Sequence, residues 1–113
     1  MILHLAVGLL SSHIVLAAEQ VPQFNIEPGC RAAAQSAVAP NRTPDSCKHD
    51  ENDARVKIQQ QWADYTPTDK SRCVRLSGLG GMPSYVELLT CLEMAKAAST
   101  LPPGDKLTGS KMK

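Results

Sequence analysis

The chain has few of the residues on which catalysis and nucleic-acid binding depend. Its 113 residues include three histidines, and only His49 lies beyond the first 13 positions. Twelve basic residues are balanced by eleven acidic ones, which leaves a formal charge of +1. Proteins that bind nucleic acid or anionic membrane surfaces carry a basic patch or stripe, which this charge balance does not provide. The composition therefore argues against both partners.

The sequence also lacks an apolar run of the length that a membrane-spanning helix needs, which is about 20 residues. Two shorter and mostly apolar runs, 2–10 and 14–18, are separated by a polar break at 11–13. Short apolar runs that end in small residues are typical of secretory signal peptides. We predict a signal peptide over residues 1–17, cleaved after Ala17. The remaining chain is then periplasmic or secreted, without a membrane span.

Motifs that mark catalytic or cofactor sites are missing as well. A serine or cysteine triad needs a histidine base, and His49 is the only one available after cleavage. Residues 78–81 read Gly-Leu-Gly-Gly and precede a predicted helix, as an anion-binding loop would. They match neither GxxxxGK[ST] nor GxGxxG. We interpret this loop as a tight connector, and we expect no catalytic, cofactor-binding or metal-binding residues.

One polar cluster could attract a metal ion. His49 and Asp53 stand at i and i+4, on one face of a predicted helix. A stable site needs three or four protein ligands, so we interpret the cluster as a solvated polar face. Glu51 and Arg55 have the same spacing and are expected to form a surface ion pair, or a local orienting contact if they are partly buried.

Helical patterns account for most of what the sequence does contain. Residues 30–38 are rich in alanine, the best helix former, and predict a short helix. Thr43 as N-cap and Pro44 in the first helical position predict a second helix over 44–65. Its apolar residues are seven, four, four and three positions apart, which places them on one helix face. They are Cys47, Ala54, Ile58, Trp62 and Tyr65.

The third predicted helix, 84–98, has the clearest start signal. Ser84 is the expected N-cap, and Glu87 three residues later completes a capping box. The apolar residues of this helix form a stripe that we expect to pack against the second helix, with Cys91 at its edge. The stripe consists of Tyr85, Leu88, Leu89, Leu92 and Ala95.

These elements predict an all-α fold, a small three-helix bundle over residues 30–98. An extended leader, 18–29, precedes it, because its two prolines and Gly29 prevent a continuous helix. Phe24 and Ile26 of the leader are expected to lie on the helices. A disordered tail, 99–113, follows the bundle. The polar residues 66–72 predict a loop, and the alternating residues 73–76 predict a short extended segment.

The four cysteines lie far apart, with no C-x-x-C spacing, which favours structural disulfides over zinc or redox chemistry. Three connectivities are possible. We favour Cys30 with Cys47, joining the starts of the first two helices, and Cys73 with Cys91, tying the glycine loop to the third helix. Each pair closes a loop of about 17 to 19 residues, worth roughly 3 kcal/mol in the chain-entropy model.

Residues 84–94, Ser-Tyr-Val-Glu-Leu-Leu-Thr-Cys-Leu-Glu-Met, together with several upstream positions, resemble a family of small exported four-cysteine proteins of alphaproteobacteria. The similarity covers about residues 30–97. The family has no assigned substrate, cofactor or partner, so the resemblance implies an exported helical domain and nothing more. The upstream positions are Cys47, Glu51, Ala54, Arg55 and Trp62.

The sequence favours a non-enzymatic interaction or structural module that binds an unidentified protein and uses no cofactor. Two alternatives remain open, and the oligomeric state is undetermined. One alternative is an enzyme that uses His49 with Asp53 or Glu51. The other is a carrier of a small apolar ligand or lipid, whose cavity would need the aliphatic residues Ile58, Leu79, Leu88, Leu89 and Leu92.

Overall fold

The structure is a computed structural model that describes residues 20–36, 38 and 41–102. The predicted signal peptide, and the tail from residue 103 onward, lie outside these residues. The described part is helical and contains no strand, as the all-α prediction requires, but it has four α-helices where three were predicted. They are α1 (Glu27–Ala34), α2 (Pro44–Gln61), α3 (Pro67–Ser77) and α4 (Tyr85–Ser99).

Helix α1 begins earlier and ends earlier than predicted. It starts at Glu27, inside the segment expected to be extended, and ends at Ala34 rather than at 38. Pro28 does not interrupt this helix, because it lies in the first turn, where its missing N–H has no helical partner to lose. Of the described residues of the predicted leader, 20–26 are not helical.

Helix α2 starts as predicted. The hydroxyl of Thr43 accepts the N–H of Ser46, and the hydroxyl of Ser46 accepts the N–H of Thr43. The helix ends at Gln61 and continues as a 3-10 turn, Trp62–Asp64. The predicted apolar face is confirmed, since all five of its residues are buried: Cys47, Ala54, Ile58, Trp62 and Tyr65.

Helix α3 corrects the prediction of a loop over 66–72 and an extended segment over 73–76. Its start repeats the signal found at α2, because Thr66 is the N-cap, accepts the N–H of Asp69, and is followed by Pro67. The short alternating pattern is also compatible with a helix. Cys73 and Ser77, at i and i+4, are both buried.

Helix α4 runs from Tyr85 to Ser99, one residue from the predicted start and end. It packs against α2 and α3, and α1 packs against α2. The predicted stripe faces the core: Tyr85, Leu88 and Leu92 are buried, and the rest of the stripe is partly buried. Ile58 of α2 meets Leu88 and Leu92 in the same buried cluster, and all three are 0% exposed.

Two disulfides tie the helices together, in the pairing that the sequence favoured. Cys30 and Cys47 join α1 to the first turns of α2, with a Cα–Cα distance of 5.4 Å. Cys73 and Cys91 join α3 to α4, with a Cα–Cα distance of 5.6 Å. The second bond therefore links two helices, rather than a loop and a helix as predicted.

A buried carboxylate connects α2 to the start of α4. Glu51 is 6% exposed. Its Oε1 accepts a hydrogen bond from the hydroxyl of Ser84 at 2.5 Å, and its Oε2 accepts the N–H of Tyr85 at 2.6 Å. The first N–H groups of a helix have no partner within the helix and carry its positive end, so a carboxylate there satisfies a donor and complements the dipole.

The leader is held by Tyr85. The Tyr85 hydroxyl donates to the carbonyl of Pro22 at 2.9 Å and accepts the N–H of Phe24 at 2.8 Å. The rings of Phe24 and Tyr85 are 4.8 Å apart between centroids. Phe24 and Ile26 pack against the core, as predicted. Tyr85 of α4 thus holds the leader through two hydrogen bonds and a ring contact, in addition to the packing of Phe24 and Ile26.

We expect Glu51→Gln to lower the free energy of unfolding by about 1.5 to 3 kcal/mol, the usual contribution of hydrogen bonds to a charged group. The amide has the size of the carboxylate, but its NH2 group cannot accept a hydrogen bond. One of the two donors, the Ser84 hydroxyl or the Tyr85 N–H, therefore loses its acceptor. Urea unfolding of the disulfide-bonded protein measures the loss.

The matched control is Glu87→Gln, which removes an exposed carboxylate from the first turn of α4. It should cost less than about 1 kcal/mol, since only the interaction with the helix dipole is lost. Equal losses in the two variants would contradict the role assigned to Glu51.

We expect Tyr85→Phe to release the leader while the bundle stays folded. The variant keeps the aromatic contact but removes two hydrogen bonds, so exchange of the Phe24 amide should accelerate about tenfold or more. Hydrogen–deuterium exchange measures this, with the amides of α2 as the internal reference. Unchanged protection of residues 22–26 would show that the hydroxyl does not hold the leader.

Candidate functional site

The polar cluster at His49 lies on the exposed side of α2. His49 Nε2 is 3.2 Å from Asp53 Oδ2, and the two side chains are 75% and 65% exposed. Glu51 lies on the same helix but is buried against α4, so the structure does not join it to this pair. Among the residues that the structure describes, no group of three or more His, Cys, Asp or Glu could hold a metal ion.

The prediction of an ion pair between Glu51 and Arg55 is wrong. Arg55 donates to Asn52 Oδ1 at 2.9 Å, on the exposed side of α2. Glu51 points to the α4 N-terminus. It makes the local orienting contact that was the alternative expectation, but its partners are Ser84 and Tyr85 rather than Arg55. Its position inside the apolar stripe of α2 was the signal, because a carboxylate on a core-facing stripe needs a buried donor.

The glycine loop does not present a free anion site. Gly80 and Gly81 have φ angles of 88° and 77°, a backbone conformation that other residues rarely adopt, and they turn the chain between α3 and α4. The α4 N-terminus that follows is already occupied by the Glu51 carboxylate. This geometry agrees with the interpretation of the loop as a connector.

All four cysteines are in disulfides, and no free thiol remains. A disulfide sulfur is not a nucleophile or a metal ligand in the way a thiolate is. Neither thiol chemistry nor zinc binding by these cysteines is possible while both bonds are intact.

A cleft of about 470 Å³ lies between the leader and α3. Residues 20–23 form one wall, and Lys70, Ser71, Val74 and Arg75 of α3 form the other. Trp62 also lines the cleft, and Lys70 Nζ lies 4.9 Å from its ring centroid. The cleft thus combines an indole and an aliphatic side chain with two cationic groups.

The two cations of the cleft differ from most of the basic residues around them. Arg72, on another side of α3, is 2.8 Å from Asp69, and Lys96 of α4 is 3.8 Å from Asp64. Lys70 and Arg75 have no acidic partner within ion-pair distance in the described part of the chain. No carboxylate of the described residues therefore neutralises their charges.

A second surface feature is a shallow groove along α4. Val86 and Met94 are 39% and 68% exposed, although α4 already buries an apolar stripe on its other side. Val86, Thr90 and Met94 are four residues apart and lie on one face. Arg72 and Glu87 flank the groove, and Cys91 and Ala95 also line it. We call this surface the α4 groove.

The sequence contained a signal for the α4 groove but none for the cleft. The four-residue spacing of Val86, Thr90 and Met94 places them on one face of the predicted helix, opposite the core-facing stripe on which the prediction of α4 was based. The cleft joins the leader, the 3-10 turn and α3. Because α3 was predicted as a loop and an extended segment, no residue pattern indicated that Lys70 and Arg75 lie near Trp62.

Among the described residues, the surroundings shift the pKa values of two side chains. A hydrogen bond and charge from Glu27, whose Oε1 lies 2.9 Å from Lys48 Nζ, raise the pKa of Lys48. Burial raises the pKa of Tyr65, and the charges of Glu93 and Asp64 add to the effect. The Tyr65 hydroxyl donates to Gln61 Oε1 at 2.7 Å. Neither group lines the cleft or the α4 groove.

The Tyr65 shift predicts a loss of stability at alkaline pH. Above about pH 10 the unfolded state gives up the phenol proton while the folded state retains it, so stability falls as the pH rises. At about pH 8 the free energy of unfolding of the unsubstituted protein should exceed that of the Tyr65→Phe variant by about 0.5 to 1.5 kcal/mol, because the variant lacks the hydrogen bond to Gln61.

This difference should shrink when urea unfolding is repeated at about pH 11, because only the native protein carries the Tyr65 ionisation. Tyr85 is present in both proteins and cancels from the comparison. A difference that stays constant with pH would contradict the raised pKa.

Within the described ranges, no helix is both long enough and apolar enough to cross a membrane. Comparison with known proteins adds no relative whose site could be compared with the cleft or the α4 groove. No protein-family model matches the chain, and no curated protein or solved structure matches it either.

Proposed function

We propose that the protein is an exported, non-enzymatic module that binds an amphipathic helix of a partner protein in the α4 groove. The observation that carries this proposal is the exposure of Val86 and Met94 on a helix whose opposite side is already buried. The resemblance to small exported four-cysteine proteins of alphaproteobacteria is part of the proposal.

The distribution of apolar residues around α4 supports an unfilled contact. A helix that packs on one side is expected to be polar on the other, and a helix that is apolar all round is expected to be covered. In α4, Leu88 and Leu92 face the core, while Val86 and Met94 face outward. A partner that covers the outer face would remove both exposed side chains from water.

The shape and composition of the groove favour a helix as the partner. An amphipathic helix binds a groove through apolar residues at helical spacing, which matches the four-residue spacing of Val86, Thr90 and Met94. Methionine adapts its unbranched side chain to the surface it meets. The Cys73–Cys91 disulfide joins the two helices beside the groove, so the surface is held rigid before binding.

The positions of the candidate catalytic residues support a non-enzymatic role. Glu51 uses both oxygens to hold α4, and His49 is paired with Asp53 on an exposed surface. An acid–base mechanism needs its groups within reach of one substrate atom. Glu51 and the His49 pair lie on different sides of α2.

The aliphatic residues that a lipid carrier would need are largely used by the core. Ile58, Leu88 and Leu92 are 0% exposed in one packed cluster, and Leu89 packs against it. Leu79 is 68% exposed, outside any core. This packing favours the interaction module over a carrier with an internal lipid cavity.

Export is supported by the two disulfides, since such bonds persist in oxidising compartments and are rare in the cytosol. The signal peptide predicted over residues 1–17 agrees with this assignment. Periplasmic and secreted destinations are both consistent with it.

The experiment places a photo-crosslinking amino acid at position 94 and, as a control, at position 56, in cells that produce the protein. Position 56 is the control because Val56 is exposed on α2, outside the α4 groove, and its 39% exposure equals that of Val86, which allows the two positions to be compared in the substitutions below. We expect a discrete adduct with a second protein from position 94 and none from position 56.

The adduct partner is then identified by mass spectrometry and purified for binding measurements. Val86→Asp should weaken its binding by about tenfold or more, since a charge enters the apolar contact, whereas Val56→Asp should not change it. Equal labelling from positions 94 and 56 would contradict the proposal. A dimer of the chain itself that Val86→Asp dissociates would show that the groove serves self-association instead.

A further inference from the structure

We propose that the cleft between the leader and α3 binds a small aliphatic carboxylate. The carboxylate group lies against Lys70 and Arg75, and the aliphatic part lies along Val74 and Trp62. The cleft shares no lining residue with the α4 groove, so this inference is independent of the proposed partner helix.

The charge of the cleft selects an anion. Lys70 and Arg75 are five residues apart on α3, at the two edges of the face that lines the cleft, with Ser71 and Val74 between them. Both cations lack an acidic partner in the described residues, whereas Arg72 of α3 is paired with Asp69 and Lys96 of α4 is paired with Asp64. An arginine and a lysine on opposite sides of one carboxylate can each give it a charge-assisted hydrogen bond.

The apolar surface of the cleft selects a ligand with an aliphatic part. Val74 is partly buried against the core, and Trp62 presents part of its indole to the cleft. The volume of about 470 Å³ falls in the usual range of small-molecule sites, about 300 to 1,000 Å³. A free inorganic anion would leave this surface uncovered, and a neutral hydrocarbon would leave the two cations unpaired.

The leader makes the site a cleft rather than a flat helix face. Residues 20–23 form the outer wall, and the Tyr85 hydroxyl fixes that wall through Pro22 and Phe24. Lys70 is held beside the indole of Trp62 at 4.9 Å, which orients its ammonium group before a ligand arrives. Binding then requires little rearrangement of the protein.

Trp62 is the only tryptophan of the chain, so its fluorescence reports directly on the cleft. The purified protein is titrated with decanoate below its micelle concentration, and with decan-1-ol and decyltrimethylammonium as neutral and cationic controls of equal chain length. We expect a saturable change in emission with decanoate, and binding at least about tenfold weaker for both controls, because they lack the charge that pairs with the cations.

Raising the salt concentration from about 0.02 M to about 0.5 M should weaken decanoate binding and leave any binding of decan-1-ol unchanged, because salt screens exposed charges. This measurement needs no variant. Affinity for decanoate that does not respond to salt would overturn the role of the two cations.

The double variant K70Q/R75Q should bind decanoate with an affinity about tenfold or more lower than the unsubstituted protein. The control variant R31Q/R55Q removes the same charge elsewhere and should keep the affinity unchanged. Calorimetry accompanies fluorescence, because removing Lys70 alters the surroundings of Trp62 directly. The charge-conserving variant K70R/R75K should retain binding and shows that the cleft tolerates substitution.

Besides an affinity that does not respond to salt, three outcomes would overturn the proposal. The first is no saturable response to decanoate in the native protein. The second is equal binding of decanoate and decan-1-ol, which would indicate apolar partition alone. The third is unchanged binding in K70Q/R75Q. A short peptide with a free C-terminal carboxylate that binds while decanoate does not would assign the cleft to a protein terminus instead.

Discussion

The structure depends on one buried interaction, the contact between the Glu51 carboxylate and the start of α4. A carboxylate at 6% exposure would be costly without donors, and the α4 N-terminus would otherwise leave backbone N–H groups unpaired. The donors of α4 offset the cost of burying the carboxylate, and the carboxylate gives the N–H of Tyr85 a hydrogen-bond partner. The interaction sets the position of α4 along α2, and it occupies the helix end at which an external anion would otherwise bind.

Both candidate surfaces follow from the position of α4. Tyr85, the first residue of the helix, holds the leader and so forms the outer wall of the cleft. Six positions on, Cys91 is bonded to α3, which contributes four residues to the cleft and Arg72 to the α4 groove. A chain with a modest core thereby presents two rigid surfaces, one apolar and one that combines an indole with two cations.

The helices were predictable where a start signal and an apolar stripe coincided, as at Thr43 and Ser84. Helix α3 was missed although Thr66 and Pro67 repeat the signal of Thr43 and Pro44, because residues 66–72 are polar and residues 73–76 alternate between apolar and polar. A pattern of four residues fits a strand or a helix, and the cap separates the two. The error at Pro28 had a related cause, since proline breaks a helix interior but not its first turn.

The sequence by itself determined the all-helical class, the helix starts at α2 and α4, and which faces are apolar, because these depend on residues three or four positions apart. The tertiary structure alone decided that Glu51 meets Tyr85, that Tyr85 holds the leader, and that Lys70 and Arg75 share a cleft with Trp62. Contacts such as these join residues up to 63 positions apart. They depend on how the helices pack, and local periodicity carries no information about it.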